Sequence, residues 1–500
     1  MKQIIIYHSN DTHARINTLD DNNKSIGFDK IAKIINLSLL KNPNTFYFHA
    51  GDLIHGTPRI NITQGNNIVN LLNLLHLNVL CPGNHEWNFG REQLLSIIHR
   101  LNAHVLSTNT IDKKTNYPIL LPYVIYNVDL NCDDYISANS NYSKEDNIKI
   151  GVFGLSTPET AYKTNPNNVK TVEFTNPIIA AKNVVNLLKN TCHIIIALTH
   201  LGLDESSEFT SKKLAEQVDN IDLIIDGHSH TVLPHGLRIN NTLIVQAGSH
   251  DNYLGQVFLN FQDKQLVNIT ASLLDEEKID QLLDNTSDQT MLNKLEEIDT
   301  QANKILNKTI AYSNKGLSGE RSIVRCQESE LGNFTANACK HVTKADISVI
   351  NGGDIRANLP EGNITYNDIL AIFPFQNRVG NYQVTGKVLK NMMEHSLEFM
   401  PAAFGGFLSV SSNVNIIYDN KLPPKQRIKN ILIDNEPVQD NKLYILSMPT
   451  FLADGGDDYT MFSNIPLIEL FGTTEEIFLQ YVKEHSINEK DYQLGRLILN

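Results

Sequence analysis

The tetrapeptide Gly83-Asn84-His85-Glu86 follows directly on the apolar run His76-Leu77-Asn78-Val79-Leu80-Cys81. A short apolar run closed by a Gly-containing turn reads as a buried strand that delivers a carboxamide and an imidazole to a sheet rim. Alone, such a tetrapeptide is as readily an ordinary strand-to-helix turn. Five further runs end in the same manner. Residues 3–7 lead into Asn10-Asp11-Thr12-His13, and residues 44–48 into Gly51-Asp52. Residues 193–198 lead into Thr199-His200, and residues 221–225 into Asp226-Gly227-His228-Ser229-His230. The sixth, residues 241–245, leads into Gln246-Ala247-Gly248. Unbroken apolar runs of this length are strands buried on both faces. Polar residues just past the carboxyl ends of such strands are where open α/β sheets place their chemistry.

The side-chain types define that chemistry. Asp11, His13, Asp52, Asn84, His200, His228 and His230 offer carboxylate, carboxamide and imidazole donors, with no cysteine among them. An N/O set of this kind suits Zn, Mn, Fe or Co rather than a soft thiolate site. Seven donors exceed one tetrahedral ion and suit two ions sharing a bridging carboxylate. Such a pair lowers the pKa of a bound water and clamps both oxygens of an in-line displacement at phosphorus. His8, His49, His55, His235 and His250 also lie near these segments and read as structural, His250 being the first to check.

Between the strands, helical periodicity falls at 29–40, 68–75, 91–102, 177–189 and 211–218, and residues 58–65 read as a loop. Residues 131–147, rich in Asn, Ser and Asp, read as a solvated loop. The expected division is a metal domain over 1–270, an amphipathic linker helix within 271–308 and a second domain over 309–500. That second domain shows no further metal-type cluster. Its punctuation is Asn351-Gly352-Gly353-Asp354-Ile355-Arg356, then Phe373-Pro374-Phe375-Gln376-Asn377, then a Phe451-to-Tyr459 stretch containing Gly455-Gly456-Asp457. A Gly pair beside an Arg lets backbone approach an anion while the guanidinium forks onto its oxygens. Aromatics beside Pro and Gly turns can sandwich a planar ring. Each signal is weak by itself, and a plain turn or an apolar plug is the simpler reading.

Taken in order and spacing, NDTH, GD, GNHE, TH and GHSH resemble the calcineurin-type metallophosphoesterase domain, and the whole chain resembles the 5′-nucleotidase family. The resemblance implies a four-layer α/β/β/α sandwich joined to an α/β nucleotide-binding domain, with rotation of one domain about the connector. It implies that Asp11, His13, Asp52 and His230 hold one divalent ion, and Asp52, Asn84, His200 and His228 the second. His85 matches the histidine that stabilises the phosphoryl transition state or assists the leaving oxygen. Phe375 and Phe451 would stack on the base, Asn377 and Asp457 contact base or ribose, and Asn351 and Arg356 reach ribose or phosphate. Arg321 and Arg325 match two further phosphate-binding arginines. One position departs from the pattern. Typical 5′-nucleotidases carry aspartate three residues after the histidine, whereas this chain has Asn88, which resembles the cyclic-nucleotide 2′-phosphodiesterase branch. An amide oxygen can accept the ring N–H but supplies no negative charge.

The implied activity is two-metal hydrolysis of nucleoside 5′-phosphates. The alternatives are a 2′,3′-cyclic-nucleotide phosphodiesterase/3′-nucleotidase, a general phosphoesterase with Phe375 and Phe451 in the core, or a catalytically silent nucleotide-binding protein. Composition agrees with a small-molecule enzyme: 500 residues predict more than one domain, and a net charge of −13 argues against a nucleic-acid polymer or anionic membrane as partner. No apolar run reaches membrane-span length. With no signal-peptide pattern the chain reads as cytoplasmic, or as periplasmic or extracellular where a signal has been removed; it is a monomer or homodimer. Five cysteines include no CxxC pair; a Cys326–Cys339 bridge is conceivable, and free buried thiols are expected.

Overall fold

The computed structural model describes residues 2–17, 25–130, 147–164, 166–262, 264–375 and 377–500. The stretch expected as a solvated loop lies outside the described residues apart from residue 147, as does Cys132. The chain divides into two compact units, Met1–Ala302 and Asn303–Asn500.

The first unit is built on two six-stranded sheets. One runs Gln265–Leu274, Leu254–Gln262, Lys2–Ser9, Thr45–His49, Leu77–Leu80, His104–Val105 in spatial order. The other runs Leu237–Ile239, Thr242–Val245, Leu223–Ile225, Ile194–His200, Ile148–Ser156, Tyr123–Val128. The central strands of each are mutually parallel, so their carboxyl ends finish on one rim. Successive side chains of a strand point to opposite faces, and both faces are covered here. Ile4 and Ile6 meet Phe48, Val79, Ile194, Ile196 and Leu198 between the sheets. Ile5 and Tyr7 turn the other way, onto Ile31 and Ile35 of helix Phe28–Lys41. Likewise Ile195 and Ala197 pack on Ile178, Ala181 and Val185 of helix Pro177–Leu188. Three apolar layers therefore separate four layers of structure: helix, sheet, sheet, helix.

Helices form close to where the periodicity places them, at Phe28–Lys41, Val69–Leu74, Arg91–Ile98, Pro177–Leu188 and Ser211–Gln217. Asn176 caps one by accepting from the Ile178 and Ile179 amides, with Pro177 at the first position, and Thr210 caps another from the Lys213 amide. Two expectations need correction. The helix expected to reach residue 102 stops at Ile98, because the Asn102 amide donates instead to Asn73 Oδ1. The 58–65 segment begins with a short helix, Pro58–Asn61, which Pro58 initiates.

The connector is two helices, Glu276–Leu283 and Gln289–Leu306, parted where Asp284 and Asn285 take positive φ. Its apolar stripe does not span solvent. Ile279, Leu283, Met291, Leu295 and Ile298 complete the first unit's helix-side core, and Lys30 pairs with Glu276 at 3.1 Å and Asp280 at 2.7 Å.

The second unit has a five-stranded sheet in the order Leu408–Val410, Ile347–Asn351, Leu443–Pro449, Arg378–Thr385, Leu467–Thr473. Helices Glu330–Thr343 and Thr474–Glu484 pack together through Phe334, Phe478 and Tyr481. Cys326 and Cys339 are both free, so no bridge joins them. Cys192 and Cys326 are only partly buried, contrary to the expectation of buried thiols.

Candidate active site

Glu86 organises the rim. It is fully buried, and its carboxylate accepts from the amides of Asp52 (2.8 Å), Leu53 (2.6 Å), Ile54 (3.1 Å) and Gly83 (2.6 Å). One side chain thus ties the loop after strand Thr45–His49 to the loop after strand Leu77–Leu80. The glycines of GD and GNHE are dictated by close approach. A Cβ on Gly83 would lie 2.2 Å from Asp52 Oδ1, and one on Gly51 would lie 2.6 Å from His200 Nδ1. Asp11, His13, Asp52, His228 and His230 all take positive φ, which is strained for residues with side chains. Each such residue costs on the order of 1–3 kcal/mol and persists only where surrounding structure over-determines it. The layered core does so, since each fully buried Ile or Leu contributes roughly 1.5–3 kcal/mol.

The donors converge. Asp11 accepts the His228 amide on both oxygens and the Asn10 amide group at 2.7 Å, and lies 3.5 Å from His230 Nε2. His13 and His230 place their Nε2 atoms 3.2 Å apart. Asp52 Oδ1 accepts the His85 amide at 2.8 Å, and Asp52 Oδ2 lies 3.2 Å from His200 Nε2. Asp11, His13 and His230 form one cluster of donor atoms, and Asp52, His200 and His228 another. His200 Nδ1 donates to the Ala50 carbonyl at 2.6 Å, which leaves Nε2 to present a lone pair. Buried Asn84 Oδ1 has no hydrogen-bond partner among the described residues, and His200 Nε2 faces the Asp52 carboxylate. An unpartnered amide oxygen and an imidazole nitrogen beside two buried carboxylates fit divalent cations.

The electrostatics agree. Burial opposes charge on the His200 ring, yet Asp52 and Asp11 outweigh it and push its pKa up to about 10, so the Nε2 lone pair takes a proton wherever no cation takes its place. Burial would raise both aspartates, but the surrounding histidines hold Asp52 well below and Asp11 below the usual carboxylate range. The pocket therefore calls for positive charge. Burial, reinforced by His85, pulls His13 down to about 3, so that ring is a neutral donor.

Asn88 departs from expectation. Its amide nitrogen, not its oxygen, faces His85 Nδ1 at 2.8 Å, because Thr164 Oγ1 donates to the oxygen at 2.7 Å. An amide nitrogen only donates, so Nδ1 accepts and the neutral ring carries its proton on Nε2.

In the second unit the predicted substrate residues fall into one linked group and two neighbours. Burial lowers the pKa of Arg325, and the positive charges of Arg356 and Arg321 lower it further. Arg356 lies over the Phe375 ring at 5.2 Å, and Asn351 Nδ2 donates to Asp457 Oδ2 at 3.4 Å. Asn377 is tied to Asp354, and Phe451 packs beside Gly456. Phe375 is 54% exposed and Phe451 39% exposed, so neither is a core residue.

Residues 4–232 match the calcineurin-like phosphoesterase family and residues 309–464 match the 5′-nucleotidase C-terminal domain family. The chain pairs these two domains. It is a metal-dependent phosphoric ester hydrolase. It is 28% identical over 521 residues to the trifunctional nucleotide phosphoesterase YfkN of Bacillus subtilis, covering 96% of this chain but only 34% of that protein. It is 26% identical over 478 residues to a 5′-nucleotidase of Vibrio parahaemolyticus, covering 87% of this chain and 80% of that one. The NAD nucleotidase of Haemophilus influenzae shares the fold, with a TM-score of 0.72 at 20% identity, covering 100% of this chain and 99% of that one. Among the described residues no helix is long and apolar enough to cross a membrane.

Beside this cluster stand residues that motif reading missed. Glu159 Oε2 lies 3.1 Å from His228 Nε2 and 2.9 Å from Lys163 Nζ. Its signal was available: strand Ile148–Ser156 is a further apolar run, ending in Thr157-Pro158-Glu159 on the same rim. His55 stacks on His85 at 5.4 Å, and His250 lies 5.5 Å from His13 and 5.9 Å from His230. Both histidines read as structural therefore border the cluster. His49 supports it from below by accepting the Gly51 amide at 3.2 Å, His8 is buried, and His235 is exposed.

Proposed function

We propose that the chain hydrolyses nucleoside 5′-phosphates to nucleoside and inorganic phosphate. The observation that carries this reading is Arg356 lying over the exposed Phe375 ring, with Arg321 and Arg325 near enough for their charges to act on one another, a phosphate grip beside a planar-ring platform. Asp11, His13, Asp52 and His230 would hold one ion, and Asp52, Asn84, His200 and His228 the other. When bound, such a pair supplies an activated water and stabilises charge on the phosphoryl oxygens. His85, oriented by Asn88, directs its Nε2 proton toward the leaving oxygen or the developing charge. Asn377 and Asp457 contact ribose or base, and Asn351 and Arg356 reach ribose or phosphate.

Asn88 favours a second reading, a 2′,3′-cyclic-nucleotide 2′-phosphodiesterase/3′-nucleotidase. Assaying AMP, 3′-AMP and 2′,3′-cAMP side by side with Mn separates the two. Preference for AMP upholds the first, and preference for the cyclic or 3′-substrate overturns it. Replacing Asn88 by Asp would put a negative charge at His85 Nδ1 and favour a charged ring. The active limb of the pH–rate profile is expected to extend to higher pH, and an unmoved limb would show that Asn88 does not orient the catalytic ring.

A further inference from the structure

The second unit gathers another set of metal-ligand side chains. Helix Glu330–Thr343 carries His341 in its last turn, and helix Thr474–Glu484 ends on Glu484 with His485 as its C-cap. The packing of Phe334 against Phe478 and Tyr481 fixes how the helices meet. That packing brings His341 Nε2 to 3.1 Å from His485 Nε2, with Glu484 Oε2 3.9 Å from His341 Nε2. Tyr481 packs on both imidazoles, at 5.3 Å and 4.9 Å between ring centres.

Two nitrogens held tetrahedrally by one ion at about 2.0–2.1 Å stand about 3.3 Å apart. The observed separation is already close to that of a ligand pair. The Glu484 side chain is 48% exposed, and its carboxylate, His341 and His485 each place one donor atom within 4.8 Å of the other two. A cavity of about 420 Å³ adjoins His341 and Tyr481, with Lys340, Lys344, Asn337 and Asp491 on its wall. The lysines disfavour a bare cation and complement a water-derived or anionic fourth ligand.

We propose that His341, Glu484 and His485 hold one divalent transition ion of the zinc class, at a site sharing no residue with the strand-end cluster. Two imidazoles and a carboxylate suit such an ion over calcium or magnesium, which take oxygen ligands. The ion ties the end of one helix to the end of the other. The far end of the second helix matters to the nucleotide side: Thr474 donates its amide to the Asn377 carbonyl at 2.9 Å and its hydroxyl to Asp354 at 3.1 Å. The ion would steady the helix that braces this loop.

Zinc titration of the holoenzyme by calorimetry, alongside His485→Gln and Glu484→Gln, tests the site. The wild type is expected to bind one more equivalent of zinc than His485→Gln, and zinc should raise its melting temperature but not that of the variant. Glu484→Gln, on an exposed helix end, keeps the histidine pair and should weaken that equivalent at least about tenfold; it carries the test if His485→Gln fails to fold. Hydrolysis of an aryl phosphate should be the same in all three. Equal zinc stoichiometry and affinity in all three proteins would overturn the proposal and leave a histidine–histidine hydrogen bond only.

Discussion

The strand-end cluster of the first unit and the arginine–aromatic cluster of the second are held in opposite ways. In the first, Asp11, Asp52 and His200 are almost fully buried, five of the donor residues have positive φ, and Glu86 pins four amides at once. In the second, Phe375 on a turn and Phe451 in the short helix Thr450–Ala453 present large exposed faces. Chemistry at phosphorus needs donors fixed before substrate arrives, so the fold invests strain and burial there. A ring-binding platform needs open apolar area instead, and it tolerates local freedom.

This contrast can be broken at Glu86. Glu86→Gln leaves a single acceptor oxygen where four amides converge and adds an NH2 among donors. Activity is expected to fall about 10–100-fold, with weaker metal affinity, as when supporting partners of metal ligands are lost. Unchanged kcat and metal affinity would show that the rim does not depend on this carboxylate. Phe375→Ala probes the other cluster. Stacking is worth about 1–3 kcal/mol per base, so KM for AMP should rise about 5–150-fold while turnover of an aryl phosphate stays constant. An unchanged KM would remove Phe375 from the nucleotide site.

A smaller effect separates stability from function. Burial, with Glu476 adding to it, raises Glu475 from 4.5 to about 8, and its Oε2 has no hydrogen-bond partner among the described residues. The folded state therefore keeps a proton that the unfolded state releases, and stability falls as pH rises from about 4.5 to about 8. Glu475→Gln removes this penalty. It should gain up to a few kcal/mol at pH 8 and much less at pH 5, read as melting temperature at the two values. Equal shifts at both pH values would contradict the assignment.

The two clusters also differ in how far they were legible. Runs such as 193–198 and 221–225 announce buried parallel strands by composition, and their terminal Asp, His and Asn residues announce the rim. Glu159 escaped because the strand before it was not among the runs followed to their ends. His55 and His250 escaped because their placement depends on loop paths that no local periodicity encodes. The Asn88 amide was expected the other way round, since its orientation is set by Thr164, distant in sequence. In the second unit, Arg321, Arg325, Asn377 and Phe451 were legible through family resemblance and not through spacing. The connector's amphipathic stripe was plain, but the surface receiving it, Lys30 and the core of helix Phe28–Lys41, lies some 250 residues earlier.

The most direct test is phosphate release from AMP by the chelated chain, before and after addition of Mn, in wild type and Asp52→Asn. The account predicts that chelation abolishes release, that Mn restores it in wild type, and that Asp52→Asn stays inactive throughout. Release that survives chelation, or Asp52→Asn turning over at the wild-type rate, would contradict it.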